Sequence, residues 1–304
     1  MPSNPVRSLH AAWRLGAFLI ILTLFAGLVA GLFVAVHFPP QRSHGILQPL
    51  PMLGTGVALS ALALVSTLVC LRFLERRPLA TVGLPTGRPM ATGILVGLTL
   101  GAIVPLTVAG LLWVGGRASI LPADLSAQQL LADTLPIVGA TLLLATWEEV
   151  AFRGYALQLL NELGGPWLGA AVTGVLFGLA HSGNPGANLA GFTYTAVNGA
   201  LLTGLVIRTG SLWLACGYHA GWNLAALTLL GLRDSGVTAP GSFLNTTLSG
   251  PDWLSGGAYG FEASVITGVA EAILLGILLL STTHLPQVES ARRYFGGTSS
   301  RAER

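Results

Sequence analysis

The sequence predicts an all-α protein, a polytopic membrane helix bundle with about eight transmembrane helices. Of its 304 residues, 52% are hydrophobic and only 9% are charged, whereas a soluble domain carries roughly a quarter charged residues. The 40 glycines are scattered through apolar runs, as transmembrane helices tolerate. This composition excludes an ordinary soluble enzyme, and it excludes a disordered chain, which requires low hydrophobicity.

Eight apolar stretches are long enough to be candidate spans, since a helix needs about 20 residues to cross the hydrocarbon core. We expect spans at about 15–37, 52–72, 90–114, 132–162, 167–182, 190–207, 211–231 and 262–282. Turn residues separate them, with Gly164-Gly165-Pro166 after the fourth span and Gly210-Ser211 after the sixth. Ser211 is a suitable N-cap for the seventh span.

The arginines predict the orientation of this bundle. With the N-terminus inside, three arginines fall in outer segments (Arg42, Arg117 and Arg233), and Arg153 lies within a span. The inner segments hold Arg7, Arg14, Arg72, Arg76, Arg77, Arg88, Arg208, Arg292, Arg293, Arg301 and Arg304. This excess predicts a multi-pass cell-membrane protein with both termini cytoplasmic. Because the arginines are dispersed between spans, the net charge of +3 does not indicate a nucleic-acid partner.

The strongest departure from apolar composition lies in the fourth span, Trp147-Glu148-Glu149-Val150-Ala151-Phe152-Arg153. Each charged residue in a bilayer costs about 2.5–3.5 kcal/mol on the insertion scale. Glu149 and Arg153 are spaced i,i+4 and can form a structural ion pair on one helical face. Glu148 lies about 100° around the helix and leaves the trio net negative, so it needs a proton or a partner of its own.

Two further spans carry polar residues at helical spacing. The fifth contains Phe177 and His181, and the seventh contains His219 and Asn223, each pair spaced i,i+4 on one face. A single histidine in an apolar helix is more often a hydrogen-bonded packing residue. Two histidines with an asparagine one turn away favour a functional site.

Glu148 and His181 are predicted to lie at the same depth. The fourth and fifth spans form an antiparallel hairpin that turns near residues 163–166, and each residue is about 22 Å from that turn at about 1.5 Å rise per residue. His219 and Asn223 lie about 12 and 18 Å from the start of the seventh span by the same rise. We therefore expect the four side chains to share one site within the membrane.

The chemistry of these residue types is hydrolytic. A carboxylate in an apolar pocket, here Glu148, is a suitable general base near neutral pH for taking a proton from water that attacks a carbonyl. Histidine and asparagine donors stabilise the developing oxyanion. Alternatively Glu148, His181 and His219 form a two-histidine, one-carboxylate set for zinc. The sequence has no H-E-x-x-H motif, and it leaves both alternatives open.

Three motifs resemble one family in order and spacing. Glu148-Glu149-x-x-x-Arg153, Phe177-x-x-x-His181 and His219-x-x-x-Asn223 are similar to the motifs of the CAAX-protease and bacteriocin-processing family, intramembrane endopeptidases of the Rce1 or Abi type. The resemblance covers about residues 131–230. It implies residues 1–130 as N-terminal transmembrane helices, 131–230 as the catalytic core, and 231–304 as a loop, the last transmembrane helix and a cytoplasmic tail.

The resemblance also implies roles for the motif residues. Glu148 is the water-activating base, and His181 positions the water or shares its proton. His219 and Asn223 form the oxyanion hole. Glu149, Arg153 and Phe177 support the site.

Members of the family have been described both as metalloproteases and as glutamate-dependent enzymes without a metal. We expect no cofactor, because a glutamate, two histidines and an asparagine already supply base and donors; zinc on Glu148, His181 and His219 is the alternative. The expected partners are a membrane-associated protein or peptide substrate and the lipid bilayer. Eukaryotic members act on a prenylated C-terminal tetrapeptide, and the substrate of this chain stays open.

Two other functions compete with proteolysis. In a multi-spanning transporter, Glu148, Glu149, Arg153 and Glu271 would form an ion path, but no inverted repeat or pair of broken helices is present. A non-catalytic membrane scaffold would retain the fold and bind a partner. Glu271 in the eighth span is expected to make a structural hydrogen bond. The loop at 232–261 contains no pattern that indicates catalysis.

Overall fold

The computed structural model describes residues 5–35, 42, 43 and 45–280. It confirms the predicted all-α membrane bundle. Its α-helices are α1 (Pro5–Ala35), α2 (Pro49–Val69), α3 (Arg88–Val114), α4 (Ala127–Glu149), α5 (Tyr155–His181), α6 (Leu189–Thr209), α7 (Leu212–Asn223), α8 (Asp252–Ser255) and α9 (Val265–Leu280). The end of the last predicted span and the predicted cytoplasmic tail lie outside the described residues.

Five stretches of the described residues are long and apolar enough to cross a membrane, fewer than the eight predicted. They are Leu9–Ala35, Pro49–Glu75, Arg88–Val114, Ala127–His181 and Leu189–Thr209. The fourth stretch contains two of the predicted spans, because the helix turns back within it. The seventh and eighth predicted spans correspond to the shorter α7 and α9, and α7 continues as a π-helical segment, Leu224–Leu230.

The predicted antiparallel hairpin is formed by α4 and α5. Gly165 has a φ of 82° and breaks α5 just before Pro166, so the chain reverses where the sequence predicts the turn. The rings of Phe152 and Phe177 meet across the hairpin with centroids 5.6 Å apart. The residues that pair across it are nearly equidistant from Gly165, as an antiparallel arrangement requires.

Close helix contacts hold the bundle together. α3 packs along α7, α2 along α4, and α5 along α6. A Cβ on Gly101 of α3 would overlap the backbone carbonyl of Tyr218 on α7, so the two helices approach at a distance that only glycine permits there. Small residues at such contacts are typical of membrane helices, where van der Waals packing drives association.

One end of the bundle carries short strands that the sequence analysis did not predict. β1 (Arg42–Ser43) pairs with β2 (Ile46–Leu47), and β3 (Ala118–Pro122) pairs antiparallel with β4 (Leu244–Leu248). We call this end, with the loop 231–264, the loop end. Strands of this length carry too little periodicity to be recognised in the sequence.

The opposite end is held by ion pairs, and we call it the arginine end. Arg14 of α1 contacts Glu75 at 2.8 Å and Glu162 of the hairpin at 2.5 Å. Arg77 also contacts Glu75. These contacts place the start of α1, the π-helical segment Cys70–Glu75 that continues α2, and the hairpin turn at the same end of the molecule. Ser211 caps α7 by accepting from the Leu214 amide at 3.2 Å, as predicted.

Candidate active site

A π-helical turn, Val150–Gly154, joins α4 to α5 directly after the two adjacent glutamates. Such turns widen the helix locally and are frequent at functional sites. Glu149 is fully buried, whereas the side chain of Glu148 is 21% exposed and faces a cavity. The two carboxylates therefore have separate surroundings, as their angular separation predicts.

Glu149 is bound by Arg153 and His219 through a single oxygen. Arg153 Nη1 donates to Glu149 Oε1 at 3.1 Å, which is the predicted i,i+4 ion pair. His219 Nδ1 lies 3.0 Å from the same oxygen. Because an ionised carboxylate only accepts, His219 carries a proton on Nδ1. Its other ring nitrogen, Nε2, lies 3.8 Å from Glu148 Oε2.

Arg153 is fully buried and held on several sides. Its Nη2 donates to the carbonyl of Gly199 at 3.0 Å, and its Nε donates to Thr203 Oγ1 at 3.4 Å, both on α6. The guanidinium carbon lies 4.3 Å from the centroid of the Phe177 ring, a cation–π distance. Arg153 thus ties α6 to the hairpin and fixes the carboxylate of Glu149.

His181 is oriented by the backbone of its own helix. Its Nδ1 lies 2.8 Å from the carbonyl oxygen of Phe177, and since a carbonyl only accepts, this nitrogen is the donor. Its Nε2 is 4.0 Å from Glu148 Oε2. The Phe177 ring lies beside both imidazoles, with centroids 4.7 Å from His181 and 5.7 Å from His219. Phe177 therefore sets the spacing of the two histidines.

Glu148 and Asn223 line one cavity of about 680 Å³ together with both histidines. Within the described part of the chain, Glu148 Oε2 is buried without a hydrogen-bond partner. Its distances to the two Nε2 atoms exceed the range of a direct hydrogen bond, about 2.7–3.2 Å. A water placed between Glu148 Oε2 and either of these nitrogens would be within hydrogen-bond reach of both atoms. The structure thus brings together the four side chains that the sequence predicts as catalytic.

The charges of the cluster favour a protonated His219. Glu148 and Glu149 contribute two negative charges when ionised, and Arg153 contributes one positive charge. A second proton on His219, which lies between both carboxylates, makes the cluster neutral. Since an uncompensated buried charge is costly, this state lets His219 donate from Nε2 as well as from Nδ1.

Polar residues of the loop end also line the cavity, and they were not expected from the sequence. Asp234, Ser235 and Glu262, from the loop end, line the same cavity as Glu148. The loop at 232–261 gave no sign of this role, because these residues follow no motif and Glu262 lies 27 positions after Ser235. Only the folding of the loop over the bundle brings them to the site.

Glu271 of α9 lies behind the cavity wall. Asn198, which lines the cavity, donates from Nδ2 to Glu271 Oε1 at 2.8 Å. Glu271 is buried and makes the structural hydrogen bond expected for it. Asn198 is a second cavity residue that the sequence analysis did not identify.

Zinc bound to Glu148, His181 and His219 is the alternative that the sequence leaves open. Across 5–35, 42, 43 and 45–280, no group of three or more histidine, cysteine, aspartate or glutamate side chains is arranged to hold a metal ion. The two cysteines, Cys70 and Cys216, are buried and unpaired by disulfides.

The fold and the site define a multi-pass membrane protein with a buried glutamate–histidine cluster. Residues 130–225, which run from α4 through α7, match the model of the family described as type II CAAX prenyl endopeptidase Rce1-like. This match confirms the resemblance identified from the three motifs, all of which lie inside it. Residues 130–225 are thus similar to the Rce1-like family.

The chain is also similar to a curated bacterial protein. It is 27% identical over 270 residues to "Uncharacterized protein YyaK" of Bacillus subtilis (strain 168), covering 82% of this chain and 88% of that protein. The similarity extends well beyond residues 130–225, and therefore includes helices outside the Rce1-like domain. The name of the Bacillus protein assigns no activity.

Proposed function

We propose that this protein is an intramembrane endopeptidase of the CAAX prenyl protease type, in which Glu148 activates the attacking water. One observation carries the proposal: Glu148 Oε2, buried and without a partner in the described residues, faces the Nε2 atoms of His181 and His219. The Rce1-like match over residues 130–225 supports the same reaction class. These residues supply both a base and donors.

The first step is attack on the peptide carbonyl. A water between Glu148 and His181 gives one proton to the Glu148 carboxylate while its oxygen bonds to the carbonyl carbon. Neutral His181 has its proton on Nδ1, fixed by Phe177, so its Nε2 accepts the second hydrogen of the water and orients it. This arrangement leaves the oxygen lone pair directed at the substrate.

The second step stabilises and resolves the tetrahedral intermediate. The carbonyl oxygen becomes an oxyanion that accepts from His219 Nε2 and the Asn223 amide. When the carbon–nitrogen bond breaks, Glu148 returns its proton to the leaving amine, which gives a carboxylic acid and a free amine. Glu149 and Arg153 act only through His219, since Glu149 holds the imidazole in place; they are positioning residues.

A second cavity supports a membrane-embedded substrate. It measures about 490 Å³, lies between α1 and the hairpin, and shares Glu148 and His181 with the first cavity. Its wall is mostly apolar, with Leu15, Leu19 and Leu22 of α1 on one side. Glu148 thus lies where the polar first cavity meets the apolar second cavity. A base in this position can act on a peptide that occupies both.

The proposal is tested with the purified protein in lipid vesicles that contain a fluorogenic membrane peptide. We expect Glu148→Gln to reduce kcat by about 10²–10⁴-fold, the usual contribution of general base catalysis. Glu162→Gln is the matched control, because Glu162 lies at the arginine end in contact with Arg14 and should retain activity. Equal cleavage by wild type and Glu148→Gln would refute the proposal.

Treatment with a chelator distinguishes the glutamate mechanism without a metal from a zinc-dependent mechanism. We expect cleavage to continue after treatment with a strong zinc chelator, because no step uses a metal. Loss of cleavage that added zinc restores would replace the glutamate mechanism with a metal-dependent one. The proposed peptidase activity would survive that result, whereas the role of Glu148 would change.

A further inference from the structure

The far end of the catalytic cavity contains two acidic residues that the mechanism does not use. Asp234 and Glu262 line the same 680 Å³ cavity as Glu148 and His219. Both belong to the loop end, outside the helices that carry the three motifs. A peptide that reaches Glu148 through this cavity would therefore also contact Asp234 and Glu262.

Asp234 is buried, and one of its two carboxyl oxygens has no hydrogen-bond partner in the described residues. Only 3% of the residue is exposed, and Oδ1 has no hydrogen-bond partner among residues 5–35, 42, 43 and 45–280. Its backbone is fixed by reciprocal bonds with Val237, each 2.9 Å long. A buried polar atom without a partner costs roughly 1–3 kcal/mol, so it indicates a group that is completed by a ligand.

Glu262 is held beside Asp234 by Ser235. Glu262 Oε2 accepts from the Ser235 amide at 2.8 Å and from its hydroxyl at 2.5 Å. Ser235 has a φ of 46°, in the left-handed region that non-glycine residues rarely adopt. The strained backbone of Ser235 thus directs its amide and its hydroxyl at the carboxylate of Glu262.

The arginine next to this pair does not compensate its charge. Arg233 is exposed, and its Nη1 donates to the carbonyl of Ala258 at 3.4 Å. Glu149, by contrast, has its buried charge matched by Arg153. Burial and the charge of Glu262 raise the pKa of Asp234 well above its usual range. A cation between the two carboxyl groups would remove that cost.

We propose that Asp234 and Glu262 form a cation subsite that binds a basic side chain of the peptide substrate. An arginine or lysine side chain would place its charge between the two carboxyl groups while the adjoining backbone extends toward Glu148. The proposal rests on the proposed peptidase function for the identity of the ligand as a peptide. It assigns the protein a preference for substrates with a basic residue on one side of the scissile bond.

Binding is measured first, without catalysis. The protein carries Glu148→Gln and is placed in lipid nanodiscs with apolar peptides that are acetylated and amidated, so that their termini bear no charge. A single lysine, or its uncharged counterpart norleucine, is moved residue by residue along the peptide. At one register we expect the lysine peptide to bind at least about tenfold more tightly, as desolvated charge pairs at interfaces do.

The acidic pair is then removed. Adding Asp234→Asn should abolish the preference for lysine and leave the affinity for the norleucine peptide unchanged. Asp252→Asn is the matched control, since Asp252 is exposed in the same loop and should keep the preference. If Asp234→Asn does not fold, Glu262→Gln tests the same pair. Equal binding of both peptides, or a preference that survives loss of the carboxylates, would overturn the subsite.

Cleavage by the protein with Glu148 intact separates this inference from the proposed function. A lysine preference in binding without any cleavage would leave the subsite standing and refute the peptidase. Cleavage with equal kcat/KM for the lysine and norleucine peptides would support the peptidase and refute the subsite.

Discussion

Arg153 shows how single residues fix the site. Its guanidinium is fully buried and contacts Glu149, Gly199 and Thr203 at once. The same carboxylate that receives Arg153 also receives His219. Loss of one member therefore leaves the others with an unmatched charge.

We expect Arg153→Ala to destabilise the protein by about 3–5 kcal/mol, because it leaves Glu149 buried without a counter-charge. Unfolding in mixed detergent micelles measures the change in the free energy of unfolding. Arg117→Ala is the control, since Arg117 is exposed and surface changes stay within about 0.5 kcal/mol. A loss below about 1 kcal/mol for Arg153→Ala would contradict the argument.

Asn223 is predicted to act on the transition state. We expect Asn223→Ala to lower kcat by about 10²–10³-fold, the usual cost of losing one oxyanion donor, with little change in KM. Asn245→Ala is a matched control, because Asn245 is exposed on β4. A change confined to KM would show that Asn223 binds substrate rather than the oxyanion.

Asp234 predicts a pH dependence of stability in the protein without a bound peptide. Its folded-state pKa is raised by burial and by Glu262, with Trp222, Tyr259 and Glu148 as the other neighbouring groups. A raised pKa means that Asp234 contributes most stability when protonated, and this contribution is lost as pH rises through the folded-state pKa.

Asp234→Asn should therefore become more stable relative to wild type as pH rises. The free energy of unfolding of both proteins, measured from acidic to mildly basic pH, gives this difference. Asp252→Asn should show no comparable trend, because Asp252 is exposed. A difference between wild type and Asp234→Asn that stays constant with pH would contradict the assignment.

At the scale of helices, the α4–α5 hairpin could be predicted from the sequence and the loop end could not. Glu148 lies 17 residues before Gly165 and His181 lies 16 after it, so helix geometry alone brings them nearly level. Asp234 and Glu262 are 28 positions apart, in a segment that contains β4 and α8, and no period relates them. The π turn after Glu149 also has no sequence signal, since Val150–Gly154 reads as ordinary helix.

The close contact between α3 and α7 predicts that one methyl group added at Gly101 lowers the stability of the protein. Gly101→Ala places a Cβ against the carbonyl of Tyr218, and overpacking of this kind costs about 1–3 kcal/mol. Because α7 carries His219, the same change should also reduce cleavage. Gly110→Ala, on the same helix with nothing within 4 Å of the new Cβ, should be neutral or stabilising by up to about 1 kcal/mol.

Unfolding of the two variants in the same micelles compares them directly. Equal stability of Gly101→Ala and Gly110→Ala would show that α3 and α7 can move apart without cost, and it would contradict their close packing.

At the scale of the whole molecule, most arginines lie at one end and the cavity lined by Glu148 opens toward the other. The described arginines outside the spans fall mostly at the arginine end, where Arg14 contacts Glu75 and Glu162. The cavity that Glu148 lines extends instead to Asp234 at the loop end. If the arginine end is cytoplasmic, as the positive-inside rule predicts, the polar part of a substrate reaches Glu148 from outside the cell.

Cysteine labelling in intact cells tests this orientation. Thr86 and Asp124 are exposed in the connections at the two ends of α3, and the native Cys70 and Cys216 are buried, so wild type should remain unlabelled. We expect a membrane-impermeant maleimide to label Asp124→Cys in intact cells and Thr86→Cys only after permeabilisation. The reverse pattern would place the loop end, and with it the catalytic cavity, in the cytoplasm, because the two residues flank a single membrane-spanning helix.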